Sequence, residues 1–588
     1  MLKFIMYRLQ PDVLQLMPLL TKIEMTAGTA DHYFKKIIEL RREKMNRFFK
    51  SLFMLNILSL LLSIVYSFFP GESVFWNSYG LILIVTLTGN TVASVLGSRY
   101  RKLDITYLLL SSIGLLVVML SNTAASVLPT YESSRSILSI SILLLLLVVG
   151  AAITRVPLIR TADRQSRTTL SADRPEKKTR KAARRVLLVL LAFILLIGAL
   201  MVILTITDIN VGVAEILLSQ YSLFYSFIFL SIAGLLLKLT MFKWNSLVSY
   251  VVFSLGINLF VLFAIPFVFM PSLLNEAEKN YTESFGDEWQ TYGADVPAFK
   301  EMPFSIPAYF FGISSKDYNL TEDVLFYEGT EGVDAGLELR FDVYTPPADA
   351  ANLPGERSTL IRIHGGGWDI GDKGTENFAQ VNKYFAGQGY VVFDVQYGLN
   401  NQDQFVEFLT VPDRVSGDFS IDDMVRHLGL FTTYLADNHE EYGANIDSVF
   451  LSGASAGGQL ASAVALGSSS GDYTDIIDNR ITVKGLIPFY PANGLSQYRN
   501  IGGESELVDP ALMVEADSPP ALVYQGEKDG LVAPRVAELF RESYLEKGNT
   551  EIAVIWMPYG EHASDLYFPG FYNQTFIYYM ERFMYQYQ

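Results

Sequence analysis

The sequence predicts two joined parts: an N-terminal all-α membrane bundle of about seven transmembrane helices, and a C-terminal α/β domain with a mostly parallel, doubly wound sheet. Three observations lead there. Half of the 588 residues are hydrophobic and only 18% are charged, where about 25% charged is usual for soluble domains. The charges are also segregated, with a balance of +14 over residues 1–270 and −30 over residues 271–588. Beyond residue 323, short β-type runs alternate with helix-length segments. The first observation excludes a disordered chain, and a net charge of −16 argues against nucleic acid as a partner, because it repels phosphate backbones.

A bilayer core about 30 Å thick takes roughly 20 apolar residues in helical form. Seven stretches meet that demand, approximately 51–69, 79–97, 105–121, 137–154, 186–206, 221–238 and 247–270. None holds a charged residue before its last turn, so the spans lack the ionisable groups that mark ion or proton coupling. Asn90 is the main polar intruder and reads as a helix–helix hydrogen bond. Residues 1–20, interrupted by Pro11, read as an interfacial helix or a tail. The first apolar run begins too late for a cleaved signal peptide.

The loops predict orientation. Lys35, Lys36, Arg41, Arg42, Lys44, Arg47 and Lys50 precede the first span, and Arg99, Arg101 and Lys102 follow the second. Eleven basic residues from Arg155 to Arg185 follow the fourth span, and Lys238 and Lys243 follow the sixth. The alternate loops hold only Arg135. Short loops rich in Lys and Arg stay cytoplasmic. The expectation is a multi-pass plasma-membrane protein with its N-terminus inside and everything after residue 270 outside. The absence of cysteine removes disulfide and thiolate chemistry and suits a bacterial surface protein.

The expected organisation is therefore 1–50, a cytoplasmic basic segment; 51–270, the transmembrane domain; 271–322, an aromatic-rich linker or lid; and 323–588, the α/β domain. The linker carries Trp289, Tyr292, Phe299, Phe304, Tyr309, Phe310 and Phe311. The β-type runs lie at 323–329, 337–344, 358–364, 390–395, 448–452, 484–490, 521–526 and 551–557, the first two as an edge hairpin. Later runs are continuously apolar and separated by helical segments such as 421–437, 456–466 and 532–547. Strands buried on both faces read this way.

Two motifs sit at strand ends. Gly453-Ala454-Ser455-Ala456-Gly457 follows the run 448–452 and opens a helix. Its glycines permit the strained turn that lifts a serine hydroxyl above a sheet edge. His364-Gly365-Gly366-Gly367-Trp368 ends the run 358–364. Successive glycines let backbone N–H groups approach a substrate carbonyl, where acyl transfer needs donors preset for developing negative charge. A nucleophilic serine in this topology takes an acid and then a histidine later in the chain. Only His562 follows Ser455; His364 belongs to the glycine loop, and His427 and His439 precede the serine on or near an expected surface helix. Asp529, beyond the run 521–526, is the best-placed acid, with Glu527 and Asp509 as rivals.

Residues from about 323 onward resemble the carboxylesterases of the α/β-hydrolase superfamily, in the hormone-sensitive-lipase-like and acetyl-esterase-like branch. The matching pieces are LRFDVYTPP (339–347), HGGGW (364–368), YGANIDSVFLSGASAGGQLA (442–461), SPPALVYQGEKDGLV (518–532) and GEHA (560–563). The resemblance implies a serine hydrolase that cleaves carboxylic esters through Ser455, His562 and Asp529. It also implies an oxyanion hole from the N–H groups of Gly366, Gly367 and Ala456, with no metal or organic cofactor. The family usually shows an Asp-Tyr-Arg-Leu-like segment where this chain reads Gln396-Tyr397-Gly398-Leu399. No family resemblance covers the seven helices. The expected partners are the lipid bilayer and an ester substrate, namely an acylated glycan, a lipid or a small ester. Two alternatives remain: an acyltransferase or deacylase working on membrane- or wall-linked substrates, and a transport or sensing protein whose hydrolase-like part only binds.

Overall fold

The structure is a computed structural model that describes residues 27–97, 101–155, 178–207, 209–210, 212–240, 246–295, 299–348, 352–401, 411–412 and 414–588. Residues 1–20, Arg99, Lys243 and the basic run from Arg160 to Lys177 lie outside the described residues.

The N-terminal part folds as helices α1 (Ala27–Phe68), α2 (Val74–Leu96), α3 (Arg101–Val127), α4 (Ile137–Arg155) and α5 (Lys178–Ile206). Short 3₁₀ turns at Gly212–Leu217 and Ser219–Tyr221 lead into α6 (Ser222–Leu239), which α7 (Leu247–Phe263) follows. Among the described residues, six segments, Glu43–Phe68, Val74–Leu96, Arg101–Val127, Ile137–Arg155, Lys181–Ile206 and Gly212–Leu239, are long and apolar enough to cross a membrane. The expected seventh, 247–270, holds a shorter apolar helix, α7. At 17 residues, α7 rises about 25 Å at 1.5 Å per residue. Pro266 then interrupts the ladder, because it has no N–H for the preceding turn, and the chain passes through Ile265–Val268 into α8 (Met270–Phe285).

The spans also carry an ionisable pair that the sequence reading left out. Helix α3 begins earlier than expected and takes Asp104 into the bundle, where the Lys238 ammonium donates to its carboxylate at 2.9 Å. Arg101 donates to the Lys238 carbonyl at 2.6 Å, so the two basic residues meet at one end of the bundle. Asn90 behaves as expected: it exchanges amide hydrogen bonds with Asn56 at 2.7 and 2.8 Å.

Past α8, helices α9 (Trp289–Asp295) and α10 (Ile306–Phe311) lead to the sheet. The strands are β1 (Asn319–Glu328), β2 (Glu338–Thr345), β3 (Ser358–Ile363), β4 (Val391–Val395), β5 (Asn445–Ala454), β6 (Val483–Phe489), β7 (Ala521–Gly526) and β8 (Ile552–Met557). Their spatial order is β1-β2-β4-β3-β5-β6-β7-β8. The β1–β2 hairpin and the β2–β4 pair are antiparallel, and every later pair is parallel. All eight expected strands are present.

Side chains alternate between the sheet's two faces. Ile361, Phe393, Leu451, Leu486, Val523 and Val554 join one apolar cluster. It is covered by α12 (Ile421–Tyr442), α13 (Ala456–Ser470) and α14 (Pro534–Glu546). Their neighbours Leu360, Val392, Phe450, Ile487, Leu522 and Ile555 join a second cluster with α11 (Ala379–Ala386) and α15 (Phe571–Tyr587). That second cluster continues without a break into the bundle through Tyr79, Leu83, Tyr221 and Phe224.

The aromatic segment forms the joint. Tyr309 stacks on Phe224 of the bundle at 4.9 Å and on Phe571 of α15 at 5.7 Å. The Tyr309 hydroxyl donates to the Gln220 carbonyl at 2.9 Å, and the Tyr567 hydroxyl donates to the Tyr309 carbonyl at 2.6 Å. Asn122 of α3 donates to the Phe310 carbonyl, Lys383 of α11 donates to the Pro129 carbonyl, and Asn77 of α2 donates to the Phe304 carbonyl. Trp289 and Tyr281 pack on Tyr579 of α15, which seats this stretch of the linker on the flank of the sheet. Deleting a buried aromatic ring costs about 3–5 kcal/mol. Tyr309→Ala is therefore expected to lower the thermal midpoint of the detergent-solubilised full chain; an unchanged midpoint would mean that the two parts unfold independently.

Candidate active site

Ser455 sits between β5 and α13 at φ 55, ψ −119, a left-handed conformation that a serine seldom adopts. The turn closes only because Gly457 has no side chain: an added Cβ would collide with the carbonyls of Ile363 and His364 at the end of β3. The Ser455 N–H donates to the Phe489 carbonyl at 2.9 Å, which ties the turn to β6. These constraints hold the serine at the C-terminal edge of the sheet.

The loops after β7 and β8 bring Asp529 and His562 to it. His562 Nε2 lies 3.1 Å from Ser455 Oγ, and His562 Nδ1 lies 2.9 Å from Asp529 Oδ2. Asp529 also accepts from the N–H groups of Leu531 at 3.0 Å and Val532 at 2.7 Å. With the carboxylate accepting at Nδ1, that nitrogen carries the proton and Nε2 faces the serine as an acceptor. Burial alone pulls the imidazole pKa down, but the charge and hydrogen bond of Asp529, with Glu215 and Asp565 behind it, leave it raised above 6.5. The rivals stand elsewhere. Glu527 is exposed, and Asp509 caps the 3₁₀ turn Pro510–Met513 by accepting from the Ala511 N–H.

The glycine loop lies against the serine. A Cβ on Gly365 would stand 3.4 Å from that of Ser455. Gly366 and Gly367 adopt φ 113 and 61, and Trp368 follows at φ 65 with its indole donating to Gln459 at 2.9 Å. Gly366 and Gly367 follow Gly365 in this loop, and Ala456 follows Ser455 as the first residue of α13. His364 is buried, stacks on Tyr397 at 4.5 Å, and is pushed down to a pKa of about 4 by burial. Among the described residues, no group of three or more His, Asp or Glu side chains is placed to hold a metal ion.

His427, expected on a surface helix, is buried on the inner face of α12. Its Nδ1 accepts from the Gly398 N–H at 3.2 Å and its Nε2 faces Asp334 at 3.1 Å. A Cβ on Gly398 would meet the His427 ring at 2.6 Å. The histidine fills the room that a side chain at 398 would need, which accounts for a glycine there.

Sequence reasoning missed the carboxylates around His562. Glu561 is buried and accepts from the Ser219 N–H at 3.0 Å; Asp565 accepts from the Tyr490 hydroxyl at 2.8 Å. They flank the one histidine after the serine, Glu561 just before it and Asp565 just after, but nothing local in the sequence marks them as buried.

Comparison with known proteins bears on this half of the chain. Residues 341–544 match the family model described as BD-FAE. The chain is 23% identical over 253 residues to Esterase LipQ of Mycobacterium tuberculosis, covering 39% of this chain and 55% of that protein. It is 24% identical over 253 residues to Probable carboxylic ester hydrolase LipM of the same organism, covering 39% and 54%. The chain thus spans about half the length of these curated relatives. Among solved structures, Thermogutta terrifontis esterase 2 aligns at 24% identity and a TM-score of 0.33 over 42% of this chain and 84% of that one. Esterase B of Lactobacillus rhamnosis aligns at 18% identity and a TM-score of 0.34 over 50% and 89%. The expected esterase resemblance stands for the C-terminal region.

Burial raises the Glu561 pKa from 4.5 to about 8, against the opposing Ser219 hydrogen bond. A carboxyl whose folded pKa is raised contributes stability below its unfolded pKa, and that contribution is lost as pH climbs toward the folded value. The thermal midpoint of the wild type is expected to fall between pH 4.5 and about 8 by more than that of Glu561→Gln. Equal slopes in a differential scanning measurement would contradict this.

Proposed function

We propose that the protein is a membrane-anchored serine hydrolase that cleaves carboxylic esters, with its α/β domain on the extracytoplasmic side. The observation that carries the chemistry is the hydrogen-bonded chain Ser455–His562–Asp529 at the C-terminal edge of the sheet. The names of the curated relatives, an esterase and a probable carboxylic ester hydrolase, point the same way.

Ser455 Oγ attacks the ester carbonyl while His562 Nε2 takes its proton, and Asp529 stabilises the imidazolium. The N–H groups of Gly366, Gly367 and Ala456 receive the oxyanion. The tetrahedral intermediate expels the alcohol, which leaves with the proton from His562. Water then adds to the acyl-enzyme with the same histidine as base, releasing the carboxylic acid and restoring Ser455. The substrate is an acylated glycan, a lipid or a small ester.

Orientation is supported by the bundle's two ends. Arg101 and Lys238 meet at one, whereas the α/β domain meets the start of α2, the end of α3 and the start of α6 at the other. With the basic end cytoplasmic and α7 read as a seventh crossing, the domain faces outward.

Ser455→Ala is expected to lower ester turnover roughly 10⁴- to 10⁶-fold while leaving the fold intact. A membrane-impermeant fluorophosphonate applied to intact cells should label the wild type and spare this variant. Labelling only after lysis would overturn the orientation, and retained hydrolysis by the variant would overturn the nucleophile.

A further inference from the structure

We propose that Glu215, in the bundle segment between α5 and α6, is a positioning residue for the esterase site: it holds the turn that presents Asp529 to His562. The proposal rests on the esterase reading above and gives the helical half a part in the reaction beyond attachment.

The contact is built from both sides. Glu215 Oε2 accepts from the Gly530 N–H at 2.9 Å, and Asn210 donates to the Gly530 carbonyl. The peptide groups on either side of Gly530, immediately after Asp529, are thus bonded to the bundle. From within the α/β domain the turn has the Lys528 N–H on the Gly560 carbonyl at 2.8 Å and a long Asp529 N–H contact of 3.5 Å to Gly526. A few residues on, the Ser219 N–H donates to Glu561, next to His562. One bundle segment therefore grips both the acid loop and the base loop.

That segment is itself held. The Leu218 N–H donates to the Glu215 carbonyl at 3.0 Å, Tyr225 donates to the Leu217 carbonyl at 2.7 Å, and Tyr309 donates to the Gln220 carbonyl at 2.9 Å. Glu215 is buried, and an added Cβ at Gly530 would strike its carboxylate. A shift of about 1 Å in a catalytic group costs on the order of 10²-fold in rate. Loosening this turn moves Asp529 against Nδ1 without touching the surface that binds substrate. The effect therefore belongs in kcat and not in KM.

The test uses the full chain in detergent micelles with p-nitrophenyl butyrate. Glu215→Ala should lower kcat about tenfold or more with KM little changed. Glu215→Gln keeps an oxygen for the Gly530 N–H and should restore most of the rate. Gly530→Ala, which pushes the two loops apart, should also slow turnover, and the double variant Gly530→Ala with Glu215→Ala should be no slower than Glu215→Ala alone. Wild-type kcat in Glu215→Ala, or equal losses in the Ala and Gln variants, would overturn the proposal. If Glu215→Ala does not fold, the other single variants decide: a fast Glu215→Gln with a slow Gly530→Ala supports the proposal, and any other pairing overturns it. Ser455→Ala on the same preparation keeps the two ideas apart. If that variant is inactive while Glu215→Ala turns over normally, only the clamp fails; an inert wild type sinks both.

Discussion

A mostly parallel sheet has two apolar faces, and both must be covered. One face meets α12, α13 and α14; α12 and α14 turn their outer sides to solvent, whereas α13 is buried from Ala456 through Gly467. The other meets α11 and α15, with α8 against the edge strand β8, and nearly the whole of α15 is buried, from Phe571 through Met584. What lies beyond it is α8, α10 and the end of the helical bundle, in one apolar cluster with the sheet. The α/β domain is thus a layer in a larger stack. Its place against the bundle follows from the same burial that stabilises its own core.

That docking explains the unusual density of buried acids near the candidate site. The loops after β7 and β8 carry Asp529 and Glu561 into the joint, where little water remains to solvate charge. How each acid fares depends on its donors. Asp529 accepts from the His562 imidazole and two backbone N–H groups. Glu561 accepts from Ser219, and its other oxygen has no partner among the described residues, so burial dominates and its pKa rises to about 8. Asp565 accepts from one tyrosine hydroxyl, and burial pushes it up to about 6. The same polypeptide edge therefore supplies a carboxylate acceptor held by backbone donors for the imidazole and two acids that resist ionisation.

The eight strands and the residues around Ser455 were legible in the sequence because their causes are local. Alternation of apolar residues, glycines at a forced turn, and chain order after the serine are all written within short windows. The stretch 247–270 reads as one helix because it is apolar throughout, while Pro266 divides it into α7 and the short turn Ile265–Val268. Asp104 was missed because its partner, Lys238, is 134 residues away and the pair has meaning only in the packed bundle. The burial of His427 depends on Gly398 and Asp334 in the same way, and that of Glu215 on Gly530. Long-range polar pairs leave no periodic trace. What a sequence displays is the pattern that buries surface, not the partner that satisfies a buried charge.

Attachment to a bilayer requires far less than this bundle provides, since one spanning helix already gives effectively irreversible insertion. Several packed helices differ from a single one in stiffness, and here the stiffness has visible sources. The Asn56–Asn90 amide pair locks α1 to α2, and the Asp104–Lys238 pair locks α3 to α6. Such polar contacts fix one register between helices whose surfaces are otherwise uniformly apolar. A body fixed in that way can present Glu215, Ser219 and Gln220 at set positions relative to α10 and α15. A flexible tether would keep the α/β domain near the membrane equally well, but it would leave the loops after β7 and β8 without their outer partners.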